Sequence, residues 1–275
     1  MGGAFLLIGL IGIDVDGTLL GSSGIVHPAV WKAAERARAA GIHLALCSGR
    51  PAFGVAVEYA HRLESDGWHI FQNGASIVHL PDRQSRSVTL PPESVKTLIA
   101  RARSTGDVLE LYSDQEYAIE STSAWAHAHA ELLGVPFQAR AFESLQDPVV
   151  RAQWLLSQAD ADRIMAVAHP HLEIAESTSP LMPDTVFVGV TREGISKGAA
   201  MRMLASEYGI PMQDVMYIGD SGNDLSALRI VGCPIAMANA DSAVLKAAVR
   251  TVRHVDEGGV AEALELAIQM AGLSA

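Results

Sequence analysis

The chain has 275 residues, 49% of them hydrophobic and 19% charged, with a formal net charge of −11. That size and apolar content suit one large or two smaller folded domains and exclude extensive disorder. The acidic balance, with no Lys/Arg-rich block, argues against a nucleic-acid partner. No segment reaches the roughly 20 apolar residues that span a bilayer. In chain order, Ala4–Ile13 is a continuous apolar run into Asp14. It lacks the basic start of a signal segment and reads as a strand buried on both faces. Pro28–Ala40 predicts a helix, with Pro28 in the first turn and Gly41 past the end. A short strand over Ile42–Cys47 closes at Ser48-Gly49-Arg50, a helix runs from Ala52 to Leu63, and a third strand over His69–Gln72 stops at the turn Asn73-Gly74.

The middle third is richer in Ser, Thr, Pro and Gln. It predicts helices over Glu93–Ser104, Ala124–Leu133 and Asp160–Ala168, a hairpin of Val108–Tyr112 with Tyr117–Glu120, and strands over Leu172–Ala175 and Thr185–Val190. The last third alternates again. Ser196 caps a helix, and Val215–Ile218 is a strand ending at Gly219-Asp220. Helices over Leu225–Ile230, Asp241–Val249 and Val260–Met270 follow, interleaved with strands over Pro234–Met237 and Thr251–Val255. The expected fold is α/β: a doubly wound parallel sheet from 1–81 and 186–275, with a second α/β domain of 82–185 inserted. Cys47 and Cys233 lie in or at the end of apolar runs and read as buried thiols of a reducing cytoplasm.

The polar residues fall where such a sheet binds ligands, beyond the carboxyl ends of its strands. Asp14 and Asp16 bracket one residue at a strand end, a pairing that suits attack by one carboxylate and proton transfer by the other. A calcium loop needs an acidic twelfth residue, and Ile25 stands there instead. Ser48 and the following N–H groups suit a phosphate oxygen, though an ordinary helix cap would look the same. Lys197 in a first helical turn could hold an anion or simply be solvated. Gly219-Asp220-Ser221-Gly222-Asn223-Asp224 could ligate Mg²⁺, which favours oxygen ligands, or form a polar turn. Together the four pieces supply what phosphoryl transfer needs: nucleophile, acid/base, metal and fixed positive charge.

With these motifs in view, the chain resembles the haloacid dehalogenase-like (HAD) phosphatases, and most closely the Cof-type branch of subfamily IIB. Asn73-Gly74-Ala75, Ala236-Met237-Ala238-Asn239-Ala240 and Asp256-Glu257-Gly258-Gly259-Val260 extend the match. The resemblance implies a Rossmann-like core with a C2-type cap. It implies Asp14 as a nucleophile that becomes an aspartyl phosphate, and Asp16 as the acid/base. It implies Mg²⁺ on the Asp14 carboxylate, the Asp16 backbone carbonyl and Asp220, supported by Asp224. Ser48, Gly49, Lys197 and Asn223 would bind the phosphoryl group. Ser48 stands where many relatives have Thr, and the hydroxyl survives that change.

The expected activity is Mg²⁺-dependent hydrolysis of a small phosphorylated metabolite, for example a sugar phosphate. The alternatives are a phosphomutase on the same fold and a non-catalytic phosphate-ligand-binding protein. His127 and His129 do not share a helix face, which argues against a metal pair. Trp31, Trp68, Trp125 and Trp154 read as packing residues, the latter two also as candidates to line a pocket. Arg140, Arg151 and Arg192 raise the question of a second anionic group on the substrate. Substrate identity and oligomeric state carry no signature in the sequence.

Overall fold

The computed structural model describes residues 7–167, 170–179 and 182–272. Residues 4–6 of the expected first strand and Ala168 at the end of an expected helix lie outside the described residues. The elements begin with β1 (Leu10–Ile13), α1 (Pro28–Ala39), β2 (His43–Leu46), α2 (Val55–Leu63), β3 (Trp68–Phe71) and β4 (Ser76–His79). The middle of the chain forms α3 (Pro92–Thr105), β5 (Val108–Tyr112), β6 (Tyr117–Ile119), α4 (Ala124–Leu133), β7 (Arg151–Leu156), α5 (Gln158–Met165), β8 (Leu172–Ser179) and β9 (Met182–Arg192). It closes with α6 (Lys197–Glu207), β10 (Val215–Gly219), α7 (Leu225–Leu228), β11 (Cys233–Met237), α8 (Ser242–Ala247), β12 (Arg250–Val252) and α9 (Gly259–Met270). No helix among the described residues is long and apolar enough to cross a membrane.

The chain forms two compact units: Met1–Gly49, Glu58–Ser85 and Ser196–Ala275 make the first, Arg50–Val57 and Arg86–Ile195 the second. In the first, a five-stranded sheet has the order β12-β11-β10-β1-β2, with every neighbouring pair parallel. Successive side chains on a strand face opposite ways, and both faces are covered. Leu10, Ala45, Tyr217 and Ala236 share one buried cluster with Met201 and Leu204 of α6 and Leu228 of α7. The alternate residues Ile11, Ile13, Leu44, Met216 and Ile218 are equally buried, and α9 packs against β10, β11, β12 and α1. Burial on both faces is why these strands read as unbroken apolar runs. β3 continues beyond β2 through a parallel bridge from Ile70 to Cys47, and β4 pairs with it antiparallel.

The second unit has an antiparallel five-stranded sheet in the order β6-β5-β7-β9-β8. One face packs Leu109, Leu111, Trp154, Leu156 and Val188 against Leu98 of α3 and Ile164 of α5. The other sets Val108, Ile119, Leu155 and Phe187 against Ala126 of α4. This second face also buries charge. Glu110 is 0% exposed and accepts from the Tyr112 hydroxyl, pairs with His129 Nδ1 at 2.9 Å and accepts from Gln153 Nε2 at 3.3 Å.

Several elements differ from expectation. β4 and β7 were not foreseen, and β7 was hidden because Arg151 and Gln153 interrupt its apolar pattern. β8 and β9 run longer than expected because they pair with each other from Leu172 with Arg192 to Ser179 with Met182. The expected domain edge at 185/186 falls inside β9, while the units divide between Ile195 and Ser196. α2 starts at Val55 because Gly54 adopts a left-handed φ of 66° just before it. Trp154 is 0% exposed within the core of the second unit. Arg140 is held by Glu116 at 2.6 Å.

Candidate active site

Because β10, β1 and β2 are adjacent and parallel, their carboxyl ends share one edge of the sheet. The edge carries Asp14 after β1, Ser48 after β2 and Asp220 after β10. Asp14 N–H still donates to Ile218 at 3.0 Å, and Cys47 N–H to Ile13 at 2.8 Å, so the ladder holds up to the first polar residue. Ser48 is buried between Ile70 and Asn73, its N–H donating to one at 2.9 Å and its carbonyl accepting from the other at 2.9 Å.

Lys197 is the centre of the cluster. It enters on the first residue of α6, whose N-cap Ser196 accepts from Ala199 N–H at 3.1 Å. Its side chain is fully buried, and its three ammonium donors reach Asp14 Oδ1 at 2.5 Å, Asp224 Oδ1 at 2.7 Å and Asn223 Oδ1 at 3.3 Å. Solvation, the ordinary fate of such a lysine, is therefore not what happens here. Asn223 Nδ2 donates onward to Asn73 Oδ1 at 3.1 Å, which links this cluster to the Ser48 strand end.

Asp224 is 0% exposed and its acceptor positions are occupied from within the chain. Lys197 and the Tyr217 hydroxyl donate to Oδ1, each at 2.7 Å, and the N–H groups of Asp220 and Ser221 donate to Oδ2, each at 3.0 Å. A carboxylate has about four lone-pair sites, so Asp224 is spent on holding Lys197 and the Asp220 loop. Asp220 instead takes one bond from the Thr18 hydroxyl at 2.8 Å. One oxygen from each of Asp14, Asp220 and Asp224 lies within 4.8 Å of the others.

The glycine between the two halves of this arrangement has a steric reason. Gly17 sits at φ 87°, and a Cβ there would lie 2.2 Å from Asp220 Oδ2. The same turn separates the two expected partners: Asp14 is buried, while Asp16 is exposed and its carboxylate is not among the three oxygens.

The electrostatics follow from burial. Asp14 has its pKa raised well above the ordinary carboxylate value by burial and then by Asp224, with Lys197 pulling the other way. Asp220 is raised too, first by burial. Burial works against the Lys197 ammonium, but Asp14 and Asp224 outweigh it and raise its pKa. Burial pushes the neighbouring Cys47 thiol up to about 12, so it stays protonated. Three carboxylates thus face one ammonium in a buried space. An all-oxygen donor set with surplus negative charge fits a hard divalent cation, and the cluster could hold a metal ion.

The sequence motifs missed Tyr217, Thr18 and Asn239 as working parts. Tyr217 had a signal, being the single hydroxyl in an otherwise apolar strand. Thr18 and Asn239 lay inside motifs without an evident task.

Residues 11–264 match the model of a family described as haloacid dehalogenase-like hydrolase. The chain belongs to that family. A 5-amino-6-(5-phospho-D-ribitylamino)uracil phosphatase of Bacillus subtilis, YitU, is 26% identical over 269 residues, covering 93% of this chain and 96% of that protein. A haloacid dehalogenase-like hydrolase from Bacteroides thetaiotaomicron superposes with a TM-score of 0.81 at 27% identity, over 94% of this chain and 99% of that one. The HAD subclass IIB sugar phosphatase BT4131 shares the fold, with a TM-score of 0.77 at 22% identity over 97% of this chain and 100% of that one. Family and relatives agree on a phosphatase enzyme acting on a phosphorylated substrate, as the motifs led one to expect.

Proposed function

We propose that the chain is a Mg²⁺-dependent phosphatase for a small phosphorylated metabolite, working through an aspartyl phosphate on Asp14. The observation that carries this reading is the buried ion triad of Asp14, Lys197 and Asp224 beside Asp220. In the first step Asp14 forms the new O–P bond as the ester O–P bond breaks, and Asp16 gives the leaving oxygen its proton. In the second step Asp16, now a carboxylate, takes a proton from water as that water attacks phosphorus, releasing phosphate and restoring Asp14. Lys197 pulls the Asp14 pKa down against the effect of burial and offers positive charge to the phosphoryl oxygens. Ser48, the Gly49 N–H and Asn223 complete the phosphoryl cradle. The Asp14 and Asp220 carboxylates and the Asp16 carbonyl would hold Mg²⁺, with Asp224 fixing the loop; the ion, when bound, neutralises the charge on the transferring group.

The second unit is read as a cap that selects the substrate, in line with the expected inserted domain of 82–185. A sugar or polyol phosphate is the favoured class. BT4131 is named a sugar phosphatase and YitU acts, by its name, on a phosphorylated ribityl chain. The two buried free thiols support a reducing, cytoplasmic setting.

The test is phosphate release from para-nitrophenyl phosphate with Mg²⁺ or with EDTA, in the wild type and in Asp14→Asn. Turnover should need the metal and fall at least about 10³-fold in the variant. Turnover that survives EDTA, or near-normal turnover in Asp14→Asn, would overturn the reading.

A further inference from the structure

β11 is the neighbour of β10 and runs parallel to it, so its carboxyl end opens onto the same edge as Asp14 and Asp220. The turn that follows is closed by Ala240 N–H on the Met237 carbonyl at 3.0 Å. This turn grips both carboxylate-bearing loops. Asn239 Nδ2 donates to the Gly17 carbonyl at 2.7 Å, and Asp241 N–H donates to the Asp220 carbonyl at 2.8 Å. Asn239 is itself fixed, because its Oδ1 accepts from Val255 N–H at 3.0 Å. The donor at one end and the carbonyl at the other leave the amide a single orientation. On the turn that contains Val255, Asp256 holds the far end of the same loop, accepting from Ser22 N–H at 3.2 Å and Ser22 Oγ at 3.0 Å.

The Gly17 hold matters because of the residue type. Glycine permits a wide range of backbone angles, and Gly17 already sits at φ 87°, so its conformation is set by its bonds rather than by its own sterics. Its N–H makes a local bond to the Leu20 carbonyl at 2.9 Å. Its carbonyl is held from across the chain, by Asn239. Asp16 is the residue immediately before it.

We propose that Asn239 is a positioning residue for proton transfer by Asp16, acting through the Gly17 carbonyl. This rests on the reading of Asp16 as the acid/base. A general acid must lie within hydrogen-bond reach of the leaving oxygen, and misplacement by about 1 Å can cost about 10²-fold. Releasing the Gly17 carbonyl frees the Gly17–Thr18 peptide, one residue beyond Asp16, while leaving Lys197 bonded to Asp14 and Asp224.

The signature is a dependence on the leaving group. A nitrophenolate departs with little help, whereas an alkoxide needs its proton in the transition state. The experiment measures kcat/KM at saturating Mg²⁺ for para-nitrophenyl phosphate and for 2-phenylethyl phosphate. Asn239→Asp keeps the acceptor for Val255 but turns an oxygen toward the Gly17 carbonyl. It should lose at least about tenfold more on the alkyl ester than on the aryl ester, part of the 10²–10⁴ that general acid catalysis supplies. Asn239→Ala removes both bonds without adding charge and should show the same asymmetry; it serves in place of Asn239→Asp if that variant does not fold. Equal losses on the two esters, or no loss, would overturn the proposal. Asp16→Asn run alongside separates the two readings. If it lacks the asymmetry, the acid/base assignment falls and takes this proposal with it. If it has the asymmetry and the Asn239 variants do not, the positioning role alone falls.

Discussion

Each unit of this protein buries a charged cluster, and the two are built on different principles. In the first unit Asp14, Lys197 and Asp224 stand at strand ends and a helix start, each in a short stretch with glycine nearby. In the second, Glu110 and Gln153 lie mid-strand on neighbouring strands, and His129 reaches them from α4. Strand ends are where backbone pairing stops and ligands gain access, so charge there is available for chemistry. Mid-sheet charge is enclosed by its own ladder and mainly fixes how the sheet and helix pack. Imbalance is the second difference. Three carboxylates against one ammonium leave the first cluster with room for a cation, whereas Glu110 is matched by donors on both oxygens.

The largest effect should come from breaking the first cluster at its centre. Lys197→Met strands Asp14 and Asp224 in a buried space, and removing one partner of a buried pair costs about 3–5 kcal/mol. Urea unfolding should register that loss, and turnover of para-nitrophenyl phosphate should disappear with it. A Met variant as stable as the wild type would mean that the triad is solvated in solution and that the two clusters do not differ in this way.

A smaller effect should follow in the second unit. Glu110→Gln keeps the shape but puts a donor where His129, Tyr112 or Gln153 also donates. Mispairing a buried hydrogen-bonding group costs about 1–3 kcal/mol. Urea unfolding should show it, while metal-dependent release of phosphate from an aryl ester persists. If Glu110→Gln abolished turnover as Lys197→Met does, the second cluster would belong to the chemistry and not to the packing.

The same difference explains what the sequence revealed. Asp14, Ser48 and Asp220 were legible because each stands at the end of an apolar run with glycine or serine close behind, and parallel pairing brings those ends to one edge; Lys197 was legible beside Ser196 at a helix start. The parallel strands were legible because burial on both faces makes them continuous apolar runs. β7 was not, since its half-buried Arg151 and buried Gln153 belong to a polar stripe across strands that no single segment displays. Asn239 and Tyr217 were missed for a related reason. Their partners, Gly17 and Asp224, are set by register between strands, and a one-dimensional pattern does not show which carbonyl or carboxylate a side chain will meet. Asp224 was legible as a residue but not in its task, which depends on four donors from three places in the chain.

His69 sharpens the comparison from a third direction, as a titratable group buried without charge. It is 0% exposed on β3. Its Nδ1 accepts from Leu46 N–H at 3.0 Å and its Nε2 donates to the Glu64 carbonyl at 2.8 Å, so a second proton would set N–H against N–H. Burial lowers its pKa from 6.5 to about 4. The unfolded chain therefore binds the extra proton first as pH falls. The stabilisation is complete above the unfolded value and is lost on acidification between pH 6.5 and about 4. Lowering the pH from 6.5 to 5.5 should cost about 1 kcal/mol through this residue. His43 acts in the opposite sense, its pKa raised by the hydrogen bond to Glu64, but its side chain is 42% exposed and its share is screened. The difference between wild type and His69→Gln cancels that share, since glutamine retains an acceptor and a donor without titrating. Unfolding free energies from urea titrations at pH 6.5 and 5.5 should differ by about 1 kcal/mol more in the wild type than in the variant. Parallel behaviour of the two proteins would show that His69 takes up its proton inside the fold, and that neutral burial is not what separates it from the two charged clusters.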